Sequence, residues 1–139
     1  MYTAALRYNA LLIEFADLIL QPTGITGTIL VFLLCKTDEI SDPGSKSFEI
    51  RHGRKDIALF VVHKDGLFRA YINSCPHTGA NLEWQEDQFL DMDNMFIQCS
   101  THDALFEIDT GACIAGPCIG DRLQAVDLII EAGQISAQF

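Results

Sequence analysis

Apolar positions crowd most of a helical circumference near the start of the chain. Leu6, Leu11, Leu12, Ile13, Phe15, Leu18, Ile19 and Leu20 leave only a narrow arc for Thr3, Arg7, Ala10, Glu14, Asp17 and Gln21. The spacing predicts a helix over Tyr2–Leu20 whose wide apolar face packs on its own domain, on a symmetric copy, on a larger complex or on a membrane surface. Glu14 and Asp17 interrupt a run already too short to cross a bilayer, so no transmembrane segment is expected. A secretory leader fits poorly, because acids sit in the apolar stretch and no small-residue cleavage site follows it.

Pro22, Gly24 and Gly27 end that pattern, and the text after them has the short period of strands. Ile29–Cys35 is a continuous apolar run with β-branched residues. After the turn at Asp42-Pro43-Gly44, strands are expected at Ser47–Arg51, Ile57–His63 and Leu67–Asn73, separated by Gly53 and by the hairpin signal Lys64-Asp65-Gly66. Leu82–Leu90 reads as irregular or as a short helical turn around Trp84. Further strands follow at Met95–Gln98, Leu105–Ile108, Ala112–Ala115, Leu123–Ile130 and Gln134–Ala137. Asp109-Thr110-Gly111 and Glu131-Ala132-Gly133 supply two of the turns. Short strands at this spacing predict a small antiparallel barrel or sandwich.

Composition narrows the class. The 139 residues are enough for one domain with a real core, and 49% hydrophobic with 20% charged residues is an ordinary globular balance. A net charge of −10 leaves no basic face to neutralise phosphates, which excludes nucleic acid as the expected partner. Between Arg69 and Arg122 there is no Lys or Arg, whereas Glu83, Glu86, Asp87, Asp91, Asp93, Asp103, Glu107, Asp109 and Asp121 all fall there. Such a stretch is either a solvated acidic face or a surface that steers toward a basic partner. Five cysteines without a leader suit metal ligation in a reducing compartment, and the expected location is cytoplasmic.

Within the acidic stretch lie Cys75-Pro76-His77 and Cys99-Ser100-Thr101-His102, two pairs of one thiol and one imidazole with 21 residues between His77 and Cys99. Each pair fits one tight loop. Two Cys and two His could hold a structural zinc ion, or a 2Fe–2S cluster with the thiolates on one iron and the imidazoles on the other. Cys35, Cys113 and Cys118 remain outside the pairs and are expected to be buried as small hydrophobes, with Cys118 placed to approach the metal. His52 and His63 have no ligand partner in the pattern and are expected at the surface.

Cys75-Pro76-His77-Thr78-Gly79 and the four residues from Cys99 to His102 resemble the two ligand boxes of Rieske proteins, and Gly116-Pro117 resembles the family's third, proline-containing loop. The likeness covers roughly 34–135. It implies an all-β fold, a Rieske-like antiparallel β-sandwich or barrel with a cluster-binding subdomain, to which this chain adds the N-terminal helix. Residues 1–28 would then be a helical extension and connector, and 29–139 the Rieske 2Fe–2S domain, with its cluster-binding part at about 74–118. By the resemblance Cys75 and Cys99 bind the inner iron of a Rieske-type 2Fe–2S cluster, and His77 and His102 the outer one. Thr78, Gly79, Ala80, Thr101, Asp103, Ala104, Phe106, Gly116 and Pro117 stand around it.

The neighbours of the ligands imply a low reduction potential. High-potential members carry an extra Cys in each box, joined as a disulfide; Ala80 and Thr101 stand at those positions here. Such members also supply hydroxyls from a Ser and a Tyr where this chain has Ala104 and Phe106. Without those donors the more negative reduced state is disfavoured, which places the midpoint at roughly −150 to −50 mV. Asp103 replaces the usual Gly after the second His; Asp tolerates a left-handed backbone, and its carboxylate either acts on His102 or faces solvent.

A low-potential Rieske protein of this size resembles the ferredoxin components of ring-hydroxylating oxygenase systems. The resemblance implies a soluble one-electron carrier, not an enzyme, between a flavin-dependent reductase and a terminal oxygenase or other redox enzyme. The alternatives are a Rieske-type small subunit held permanently on a reductase such as a nitrite reductase, with the N-terminal helix making the subunit or homo-oligomer contact, and a zinc-stabilised interaction domain.

Overall fold

The computed structural model describes residues 29–139, so the helix expected over Tyr2–Leu20 and its connector lie outside the described residues. The described chain is all-β, with one 3-10 turn at Thr37–Glu39. Its nine strands are β1 (Val31–Lys36), β2 (Gly44–His52), β3 (Lys55–Lys64), β4 (Leu67–Ile72), β5 (Phe96–Gln98), β6 (Leu105–Glu107), β7 (Cys113–Ala115), β8 (Ala125–Glu131) and β9 (Gln134–Gln138). Six form an antiparallel sheet in the order β1-β9-β8-β4-β3-β2, and β5-β6-β7 form a second, small sheet inserted between β4 and β8. The large sheet curls nearly into a barrel, so that the rings of Phe32 in β1 and His52 in β2, on its two edges, lie 6.1 Å apart.

Side chains alternate across a strand, and β3 and β4 bury both faces. Leu59, Val61 and Ala70 point into the barrel with Leu34, Phe48, Ile50, Ile135 and Ala137. Phe60, Val62 and Tyr71 point the other way and pack with Leu82, Phe89, Ile97, Phe106 and Leu123 of the small-sheet subdomain. This double burial explains the unbroken apolar run of β3. Across the boundary Phe60 stacks on Phe89 with ring centroids 4.2 Å apart, and the buried Tyr71 hydroxyl donates to the Ile108 carbonyl at 2.6 Å.

The starts of β2 and β8 and the placing of His63 are among the differences from the sequence expectation. β2 starts at Gly44, directly after the Pro43 turn, because Gly44 pairs with His63 and the ladder runs the full length of β3. Its free edge is covered by the 85–90 segment: Asp87 Oδ1 accepts from the Ser47 amide at 2.7 Å and its hydroxyl at 2.8 Å, and Ser45 Oγ donates to the Asp87 carbonyl at 2.6 Å. That segment contains no helical turn. β8 begins at Ala125, since Leu123 is buried in the subdomain core and its amide bonds to the Gly111 carbonyl. His63 is not a surface residue: its side chain is 17% exposed, its ring stacks on Phe68, and Nδ1 lies 2.9 Å from the Ile40 carbonyl. His52 is exposed as expected.

Candidate metal centre

The end of β4 and the end of β5 deliver the two ligand pairs. Beyond Ile72 the chain leaves the sheet at Asn73 and closes a tight loop, in which the Cys75 amide donates to the Ala80 carbonyl at 2.8 Å and the Gly79 amide to the Cys75 carbonyl at 2.7 Å. Gly79 carries φ +77, a backbone conformation that a side chain disfavours. The second loop leaves β5 at Gln98 and is shut by the Cys99 amide donating to the Ala104 carbonyl at 2.9 Å. Asp103 takes φ +54 there, the left-handed conformation expected of it. Its exposed carboxylate accepts from Gln98 Nε2 at 3.2 Å, so Gln98, on the strand that delivers the loop, is its partner.

The loops are tied to each other. The Ser100 amide donates to the Leu82 carbonyl at 2.9 Å and its hydroxyl to the Glu83 carbonyl at 3.3 Å. Behind them Asn73, 6% exposed, accepts from the Leu82 amide through Oδ1 and donates to Glu83 through Nδ2, each at 2.8 Å. Asn73 fixes the exit of the first loop, and its role was not read from the sequence; the available signal is an amide side chain where an apolar strand gives way to a ligand box. Gly116, at φ +101, brings the Gly116-Pro117 loop against the second ligand loop at Ala104.

The four candidate donors divide by depth. Cys75 and Cys99 are buried at 1% and 0% exposure, while His77 and His102 are exposed, with ring centroids 4.8 Å apart. Burial opposes ionisation of Cys75, but the amides of His77 and Thr78, the Cys99 thiol and the Thr78 hydroxyl together outweigh it and hold the thiol below its ordinary value. A sulfur that collects such donors is prepared to be a thiolate ligand. Two buried thiols below and two exposed imidazoles meeting edge to face above fit a binuclear iron–sulfur group.

The remaining residues singled out from the sequence surround these donors. Thr78 Oγ1 accepts from the Ala80 amide at 3.3 Å, Ala80 and Thr101 are exposed, and Ala104 and Phe106 are fully buried. Pro117 is exposed in the third loop. Cys35, Cys113 and Cys118 are all buried, as expected, and Cys118 belongs to the same buried cluster as Cys75.

Comparison with known proteins agrees with this geometry. The Rieske [2Fe-2S] domain model matches residues 31–127. The chain is 31% identical over 102 residues, 73% of its length and 88% of the relative's, to the 3-phenylpropionate/cinnamic acid dioxygenase ferredoxin subunit of Photorhabdus laumondii. It is 32% identical over 102 residues to the ferredoxin component of the p-cumate 2,3-dioxygenase system of Pseudomonas putida, of which it covers 80%. Among solved structures, the Sphingomonas yanoikuyae B1 ferredoxin superposes with a TM-score of 0.58 at 28% identity, covering 76% of this chain and 94% of that one.

Proposed function

The chain belongs to the Rieske [2Fe-2S] domain family, and from that premise we propose that Cys75, Cys99, His77 and His102 are its cluster ligands and that it feeds electrons to a terminal oxygenase. Its cofactor is a Rieske-type 2Fe–2S cluster, and its role is that of an electron carrier, not a catalyst. When bound, the cluster accepts and releases one electron at a time.

The observation that supports the ligand set is the depth gradient. Buried Cys75 and Cys99 anchor the inner side, while exposed His77 and His102 face solvent, so the two imidazoles form the outlet nearest a docked partner. Beside the second of the two loops Glu83, Asp91 and Asp103 carry negative charge, and Trp84 exposes apolar surface at 58%. Acidic groups around an exposed apolar surface suit transient docking on a partner with a basic rim. A flavin-dependent reductase upstream and a ring-hydroxylating oxygenase downstream are the proposed partners, by analogy with the systems named for its relatives. Among the described residues no helix is long and apolar enough to cross a membrane. We also assign 29–139 as the Rieske domain, with 74–118 as its cluster-binding part.

His102→Cys tests the assignment. The variant retains a cluster with altered visible and EPR spectra and a lower midpoint potential, because a thiolate adds negative charge where a neutral imidazole stood. Unchanged spectra and potential would overturn it.

A further inference from the structure

Three of the five cysteines stand outside the ligand pairs, and two of these three meet. Cys113 on β7 and Cys118, just past Gly116-Pro117, bring their sulfurs to 3.1 Å, with the residues 6% and 2% exposed. Backbone bonds hold this juxtaposition: the Cys113 amide donates to the Asp121 carbonyl at 3.0 Å and the Asp121 amide to the Cys118 carbonyl at 2.9 Å. The Cys113 S–H donates to the Ala115 carbonyl at 3.2 Å, which leaves its sulfur lone pairs toward Cys118. Two buried cysteines commonly serve only as small hydrophobes. A direct sulfur–sulfur contact between residues five apart in sequence asks for more than filling space.

We propose that Cys113 and Cys118 form a reversible dithiol–disulfide site, oxidised by a hydroperoxide, within the buried cluster that also holds Cys75. One sulfur attacks an oxygen of hydrogen peroxide; the O–O bond breaks, and a sulfenic acid and one water form. The second sulfur then displaces the hydroxyl, the S–S bond forms, and a second water leaves. The two thiols give up two electrons and two protons, and the peroxide is reduced to two waters. Closure to a bonded length of about 2.05 Å asks for a movement of roughly 1 Å, which rotation of the side chains within one loop supplies. Burial makes the first attack slow. The waiting partner makes the second fast, so oxidation stops at the disulfide before the sulfinic acid.

Closing the bridge also removes both S–H groups from the buried cluster that holds Cys75. Resting on the assignment of Cys75 as a ligand, the loss of these polar hydrogens near its sulfur disfavours the reduced state, so the bridged form has a lower midpoint potential. The pair thereby lowers the driving force for reducing the carrier under oxidative conditions.

The test uses holoprotein treated with equimolar hydrogen peroxide, quenched with acid, alkylated in denaturant and digested for mass spectrometry. The expected result is a peptide joining Cys113 and Cys118, two hydrogens lighter and unalkylated, while Cys35 in the barrel core is fully alkylated and the visible absorbance persists. Dithiothreitol returns both thiols to alkylation. Cys113 and Cys118 alkylated to the same extent as Cys35, or bridged only after the absorbance has bleached, would overturn the proposal. In Cys118→Ser holoprotein the peroxide-induced fall in potential is absent; its persistence would place the effect elsewhere and overturn the coupling. Failure of the ligand assignment shows instead in the spectra of His102→Cys, independently of these thiol masses.

Discussion

Gly116 stands so close to Ala104 that a Cβ on it would lie 2.8 Å from the Ala104 Cα and 3.0 Å from its Cβ. This contact presses the proline loop onto the second ligand loop. Gly116→Ala combines overpacking, about 1–3 kcal/mol, with a side chain at φ +101. We expect a barrel that still folds but holds its cluster less well, seen as a lower ratio of visible to protein absorbance after gel filtration. Gly53→Ala is the control: it also has positive φ, but nothing lies within 4 Å of the added carbon. Equal cluster loss in both variants would show that the Gly116 contact does not matter.

Tyr71→Phe removes the donor to the buried end of the β6 segment, leaving the Ile108 carbonyl unpaired. The expected loss is about 1–3 kcal/mol of stability, measured by chemical denaturation. Burial, with Asp109 adding and Arg69 opposing, pushes the Tyr71 hydroxyl from 10.0 up to about 12. A folded value above the unfolded one means this stabilisation is complete below the ordinary value and is lost as pH rises toward about 12. The gap between wild type and Tyr71→Phe therefore narrows in alkali; a gap that widens there contradicts the hydrogen bond.

Asp42 works at the acid end. The Gly66 amide holds its carboxyl below the ordinary 3.8 against some desolvation, with help from the Asp65 amide, His63 and Lys64. A lowered folded value gives stabilisation that is present above 3.8 and disappears as pH falls through the folded value. The difference in thermal midpoint between wild type and Asp42→Ala should shrink on acidification, and constancy across that range would show that the β3–β4 turn does not depend on the carboxylate.

The midpoint potential should lie below roughly −50 mV, in the lower part of the Rieske range. Ala104→Ser and Phe106→Tyr each add a hydroxyl where the chain has none. One hydrogen bond of about 1–1.5 kcal/mol to the reduced centre corresponds to a rise of roughly 40–65 mV in a one-electron couple. Protein-film voltammetry decides: a wild-type midpoint above zero contradicts the reading of the ligand surroundings, and unmoved variants show that neither position faces the cluster.

The two Cys–His pairs stood out because their chemistry is local: one thiol and one imidazole within a few residues leave a mark that no other segment shares. The strands were legible from alternation and turn residues. What escaped depends on partners far along the chain. Asn73 clamps Leu82 and Glu83, and Asp87 covers the edge of β2 through Ser47, 40 residues away, using polar side chains that look ordinary in sequence. His63 read as exposed because it stands at a strand end without a ligand partner, yet Phe68 and the Ile40 carbonyl enclose it. The contact of Cys113 with Cys118 needed the reversal at Gly116, which spacing alone does not reveal. The N-terminal helix lies outside the described residues.

β3 and β4, interior on both sides, give the barrel and the ligand-bearing insertion a common wall. A crack on one side removes support from the other, since Phe60 and Val61 are neighbours on one strand facing opposite cores. Heating should therefore bleach the visible absorbance and melt the far-ultraviolet β signal in one transition. For a protein that moves electrons, this means the proposed outlet at His77 and His102 sits on a frame as rigid as the described fold, one that yields only when both cores yield.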